Sequence, residues 1–181
     1  AVPELLGSLK KAAAALRDAG VPYAVGGGFA CWARGGPVDA HDVDLLIRPQ
    51  DADRALEAAA AAGMRTERPP EGWLVKAWDG DTMVDLIYAP AGGEVDDDLL
   101  ARAEELSVGG QPMPVATATD VLASKMLAST DHSLGFEGLL EMARALREQI
   151  DWDAVEARTA SSPHARGFLH LARELGIVGS S

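Results

Sequence analysis

Cysteine is almost missing from this chain. The single Cys31 excludes an internal disulfide framework, which fits a reducing compartment. Basic residues are scarce: 16 Lys and Arg stand against 28 Asp and Glu, for a net charge of −12. Broad binding to nucleic acid needs a basic surface to displace counterions, and that composition lacks one. A local basic groove for a structured RNA stays open. Long apolar runs are also lacking, so no segment reads as a membrane span. The first residues do not have the basic-then-apolar layout of a signal peptide, because Lys10 and Lys11 follow the leucines. The expected location is cytoplasmic.

What is present suffices for one domain of ordinary size. The chain has 181 residues, 48% of them hydrophobic and many of those alanine, so closely packed helices are expected. Residues 1–116 hold 10 basic and 19 acidic residues, and residues 117–181 hold 6 and 9. Leu5, Leu6, Leu9, Ala13 and Leu16 recur at helical spacing, which predicts a helix from Pro3 to Ala19. Val21–Val25 reads as a short strand, then a triple glycine, then a helix opening at Phe29 and stopped by Gly35-Gly36-Pro37. A strand over 42–48 breaks at Pro49, and Asp51 caps a helix over 52–62. Met64–Arg68 reads as a strand. Trp73–Trp78 and Thr82–Tyr88 flank Asp79-Gly80 as a tight hairpin. Glu94–Leu106 reads as a helix with Asp96, Asp97 and Asp98 in its first turn, where the helix dipole favours acids. Val108–Val115 is a turn-rich connection with room for one short strand. Thr117-x-x-Asp120 opens a helix as a capping-box variant, and helices over about 134–149, 151–160 and 163–175 complete the chain. The expected organisation is α+β: a mixed-sheet core over 1–116 flanked by helices, and a C-terminal helical bundle over 117–181 packed on it.

The chemistry concentrates at Asp42-Val43-Asp44, which opens the apolar run Leu45-Leu46-Ile47. Carboxylates at i and i+2 on a strand point to one face, about 7 Å apart. Folding gives no reason to set two like charges side by side there; a divalent cation does. Asp85 is a third acid, in the middle of the apolar strand Thr82–Ile87, where a lone charge is costly unless it is paired or metal-bound. Its ordinary partner would be Lys76 across the hairpin or an arginine. If the strands are neighbours, the three acids converge on one site suited to Mg²⁺ or Mn²⁺. Upstream, Gly26-Gly27-Gly28 before a helix lets a phosphate approach free backbone N–H groups, although such a turn also has a purely structural reading. A dinucleotide fingerprint is excluded because Cys31 stands where glycine is needed, and no Gly-Lys-Ser/Thr run exists for a P-loop. A phosphate cradle beside three carboxylates implies metal-assisted phosphoryl or nucleotidyl transfer.

These residues resemble the nucleotidyltransferase superfamily with the DNA polymerase β-like fold. The pattern is a hydrophobic residue, a glycine pair, an Asp-x-Asp strand and a third acid on a later strand. Thirteen or fourteen residues separate the glycine pair from Asp42, depending on which pair is chosen. The small aminoglycoside and lincosamide nucleotidyltransferases, and AbiEii/MenT-like toxins that modify tRNA, are the nearest in kind. The resemblance implies that Asp42 and Asp44 bind the catalytic and nucleotide-side metals. It implies that Asp85 binds the catalytic metal and helps deprotonate the acceptor, that Gly26, Gly27 and Gly28 cradle the β and γ phosphates, and that Lys125 contacts the triphosphate. Two departures stand out. No serine follows the first glycine, and Asp131-His132-Ser133 stands where toxin-type members carry an Arg-Asp segment. The expected reaction moves an NMP from an NTP to an acceptor hydroxyl, with a small-molecule acceptor first and tRNA second. The alternatives are a non-catalytic nucleotide-sensing or partner-binding module of the same fold, and a phosphohydrolase using the same acids. Trp73 and Trp78, Phe29 and Trp32 read as core. His41 reads as a loop histidine, and Arg144, Arg147, Arg158 and Arg166 as solvated charges.

Overall fold

The computed structural model describes residues 2–38 and 40–178. Among them, no helix is long and apolar enough to cross a membrane. The chain is α+β, with a seven-stranded mixed sheet and eight α-helices among the described residues. The strands are β1 (Tyr23–Val25), β2 (Val43–Ile47), β3 (Arg65–Glu67), β4 (Leu74–Asp79), β5 (Thr82–Ile87), β6 (Glu104–Val108) and β7 (Gln111–Val115), in the order β3-β4-β5-β2-β1-β7-β6. The pairs β2/β5 and β1/β7 are parallel and the remaining neighbours antiparallel.

Alternation decides which face of the sheet is core. Val43, Leu45 and Ile47 on β2 are fully buried, while Asp44 and Leu46 between them are half-buried. Two helices, α1 (Val2–Asp18) and α3 (Ala52–Ala61), lie together over β2, β4 and β5 and cover the apolar face. Their inward residues, Leu9, Leu16, Ala55 and Ala59, are small or aliphatic and let the helices sit close. The opposite face carries α2 (Gly27–Ala33) and α5 (Ala118–Leu127). Leu122 and Met126 of α5 are fully buried, and α5 is the hub against which α2, α6 (Phe136–Leu146), α7 (Trp152–Thr159) and α8 (Pro163–Glu174) pack. Three of the helices after the sheet start where a polar side chain can accept a backbone N–H. Asp151 accepts from Ala154 at 3.1 Å and Ser162 from Ala165 at 3.1 Å. Thr117 accepts from the Asp120 N–H at 3.0 Å, as the capping pattern predicts.

The structure departs from the sequence reading at 94–115. The expected helix Glu94–Leu106 shrinks to α4 (Asp97–Arg102), with Asp96 capping it by accepting from Leu99 at 2.8 Å. Glu104 then enters β6, and β6 and β7 form a full hairpin where one short strand was expected. The turn is Gly109-Gly110, with φ of 57° and 85°. Two successive positive φ values make the primed turn that matches strand twist. Pro112 and Pro114 obscured β7. They fit because β7 meets β1 only at Val25↔Val115, so the missing N–H groups break little of the ladder. Asp51 also differs from expectation: it makes no side-chain cap bond, and its buried carboxylate pairs with Arg48 at 2.7 Å and Arg54 at 3.2 Å.

Candidate active site

Register builds the site. Asp44 on β2 is the direct neighbour of Asp85 on β5, and Asp85 is the direct neighbour of Lys76 on β4. Residues in register on adjacent strands share a face, about 4.7–4.9 Å apart. Lys76, Asp85 and Asp44 therefore form one row across three strands. Asp42 sits in the bend just before β2 and completes the group. Carboxylate oxygens of Asp42, Asp44 and Asp85 all lie within 4.8 Å of one another, the one such acidic cluster among the described residues.

Burial and neighbouring carboxylates both disfavour an ionised acid. Burial pushes Asp44 up to about 7, with Asp42 and Asp85 adding to the rise and Lys125 and Lys76 opposing it. Burial also raises Asp85, against the pull of Lys76. The expected ordinary partner of Asp85 is present: Lys76 Nζ lies 3.4 Å from its Oδ1. The contact is not aligned as a hydrogen bond, and Asp85 Oδ1 is buried with no hydrogen-bond partner. Lys76 thus neutralises part of the charge without occupying the oxygen. A buried carboxylate oxygen without a hydrogen bond, on one of three clustered carboxylates, fits a bound Mg²⁺ or Mn²⁺, which takes oxygen ligands and offsets the repulsion.

The glycine turn abuts the row on its other side. The Gly26 N–H donates to the Asp44 carbonyl at 3.0 Å. Gly26 is the extended residue before α2, and Gly27 opens the helix at φ 56°. A Cβ on Gly27 would lie 1.9 Å from Asp44 Oδ2, so only glycine lets the turn sit against that carboxylate. Gly26, Gly27 and Asp44 line a cleft of about 1060 Å³, together with Lys125 on α5. Gly28 lies one step away, in an adjoining hollow of about 460 Å³ that shares Lys125 and Ala128 with the cleft. Asp44 lines the cleft, and Asp42 and Asp85 are not among its lining residues.

The cleft is also lined by residues to which the sequence reading gave no part in the site. Asp120 has a side chain only 2% exposed and takes two arginines, Arg102 at 2.9 Å and Arg158 at 2.8 Å. The Thr117 hydroxyl also donates to it at 2.7 Å. These bonds hold its carboxyl below the usual range against the opposing effect of burial. Arg158 is therefore an ion-pair partner and not a solvated charge. Arg34, its side chain buried, donates to the Ala116 carbonyl at 2.8 Å and ties α2 to the end of β7. Nothing in the local pattern of Arg158 and Arg34 marks them, because their partners are 38 and 82 residues away along the chain.

The aromatic expectations divide. Phe29 is core, with Trp32 edge-on at 6.0 Å. Trp73 precedes β4 and is 41% exposed, and Trp78 lies under Arg65, whose guanidinium carbon is 4.9 Å from the ring centroid. Neither tryptophan lines the cleft or the adjoining hollow. His41 is exposed, and His164 is bonded to Asp131 at 2.6 Å.

Comparison with known proteins places the chain in a family. The family model described as an uncharacterised nucleotidyltransferase matches residues 4–175. The chain belongs to that nucleotidyltransferase family. Among solved structures, the antibiotic-resistance factor ANT(2'')-Ia in solution superposes with a TM-score of 0.62 at 17% identity, covering 94% of this chain and 97% of that one. The crystal structure of ANT(2'')-Ia in complex with adenylyl-2''-tobramycin gives 0.61 at 17% identity, covering 92% and 97%. An antigenic nucleotidyltransferase-like protein from Paracoccidioides brasiliensis gives 0.56 at 18% identity, covering 95% and 88%. At such identities the likeness concerns the fold. A stretch of 67 residues is 40% identical to glutamate–tRNA ligase 1 of Sphingopyxis alaskensis; it spans 34% of this chain and 12% of that protein.

Proposed function

We propose that this family member is a metal-dependent nucleotidyltransferase that moves an NMP from an NTP to a hydroxyl of a small-molecule acceptor. The observation that carries the reading is the convergence of Asp42, Asp44 and Asp85 beside the glycine turn, with Asp85 Oδ1 buried and unbonded. The acceptor oxygen attacks the α-phosphorus, the bond to the β-phosphate oxygen breaks, and pyrophosphate leaves. Mg²⁺ or Mn²⁺ held by the three carboxylates would supply Lewis-acid activation of the acceptor hydroxyl and of the triphosphate. Asp85 takes the acceptor proton. Gly26 and Gly27 leave the backbone open to the phosphate tail, Gly28 extends that surface toward the adjoining hollow, and Lys125 at the junction of the two cavities faces the triphosphate.

The cleft volume suits a nucleotide, and the adjoining hollow a small acceptor. The net charge of −12 favours such an acceptor over tRNA. ANT(2'')-Ia, with its adenylylated tobramycin, is an instance of the fold in that company. In this reading the core over 1–116 holds metal and phosphates, the helical part over 117–181 closes the cleft, and the reaction runs in the cytoplasm.

The test is incubation with each α-labelled NTP and Mg²⁺ against aminoglycoside, lincosamide and tRNA panels. Pyrophosphate release with label on a small acceptor is the expected result. Label on tRNA alone would move the acceptor class. Free phosphate without labelled acceptor would make the protein a phosphohydrolase. NTP binding without turnover would make it a sensing module.

A further inference from the structure

The row across the sheet does not end at the acids. Lys76 continues it, and its ammonium lies between Asp85 Oδ1 at 3.4 Å and Met83 Sδ at 3.1 Å. The lysine side chain is 21% exposed and the Asp85 side chain 10%. A thioether is a weak acceptor and carries no charge. Asp85 is therefore the counter-charge for a largely buried ammonium. Glu67, the next residue in the row, bonds Trp78 Nε1 at 3.3 Å instead.

We propose that Lys76 is a resident counter-ion of the metal site, which offsets part of the carboxylate charge, tempers the affinity for divalent cations and keeps the empty cluster foldable. When all three carboxylates are ionised they carry −3, and Lys76 brings the row to −2. A cation arriving at the acids meets the lysine charge one strand away, in a setting where few waters screen it. Lys76 thus weakens metal binding while it holds Asp85 in place. It is a positioning residue that acts through Asp85, and it lines neither the cleft nor the adjoining hollow. The inference rests on the metal-site reading of the three acids.

The experiment is Mn²⁺ titration of the full chain by electron paramagnetic resonance, for the parent and for Lys76→Met, Lys76→Gln and Lys76→Arg. Asp42→Asn serves as the site control. The expected result is Mn²⁺ binding at least about tenfold tighter in Lys76→Met and Lys76→Gln, since one unit charge near the ion is removed. Lys76→Arg keeps the charge and should stay within about twofold of the parent. Unchanged or weaker binding in both neutral variants, with the parent still binding and Asp42→Asn not, overturns the counter-ion role alone. Mn²⁺ that fails to bind the parent, or that binds Asp42→Asn as well as the parent, overturns the metal-site reading and the counter-ion with it. Two neutral variants of different shape keep the comparison valid if one of them misfolds.

Discussion

Asp44→Asn is expected to abolish nucleotidyl transfer, by about 10³-fold or more, and to make the metal-free protein more stable at alkaline pH. The two halves of that result come from one carboxylate. Losing a ligand of the proposed metal site would forfeit several kcal/mol of charge stabilisation in the transition state, and each ~1.4 kcal/mol is tenfold in rate. Stability moves the other way. The folded-state pKa of Asp44 is raised to about 7 from 3.8. Between those values the folded chain keeps a proton that the unfolded chain has released, so stability falls as pH rises through the window. Asp85 shifts in the same direction. Asp79 and Asp120 are lowered, so their stabilising contributions are lost only below the ordinary carboxylate range. Asparagine keeps the shape and removes the charge. In EDTA, urea denaturation at about pH 8 should find the variant more stable than the parent by about 1–3 kcal/mol, the gap closing toward about pH 5. A variant that lost both activity and stability at every pH would mean that Asp44 is a structural residue.

Gly27→Ala costs about 2–4 kcal/mol of folding stability and most of the metal affinity. A positive φ alone costs an L-residue about 1–2 kcal/mol. The added Cβ would stand 1.9 Å from Asp44 Oδ2, so either the turn or the carboxylate must move. Gly135 separates the two effects. It has φ 65° and nothing within 4 Å of the place a Cβ would take, so Gly135→Ala bears the backbone cost alone. The difference between the two variants, read by urea denaturation, isolates the steric part. Equal losses would show that Asp44 yields freely and that the close approach does not matter.

The site was more legible in the sequence than the sheet. Asp42, Asp44 and Asp85 stood out because charge inside an apolar strand has no folding rationale, and register brought them together. The same logic offered Lys76 as the competing partner of Asp85. The structure holds both arrangements at once, since one ammonium at 3.4 Å leaves the buried oxygen without a hydrogen bond. The hairpin of β6 and β7 was missed for a local reason. Glu104 and Glu105 extend a helical composition past Arg102, and Pro112 and Pro114 argue against a strand unless its edge pairing is known. The Gly109-Gly110 pair was the available signal, being a two-residue turn flanked by extended segments. The arginines around Asp120 were illegible, because ion pairs between distant segments leave no periodicity in either.

Anomalous diffraction from crystals grown with Mn²⁺ and a non-hydrolysable NTP tests the central claim most directly. The account predicts a manganese peak within about 2.0–2.3 Å of carboxylate oxygens of Asp42, Asp44 and Asp85, with the triphosphate running along Gly26 and Gly27 toward Lys125. Manganese and nucleotide lodged elsewhere, with the three carboxylates bound only to water or to Lys76, would contradict it.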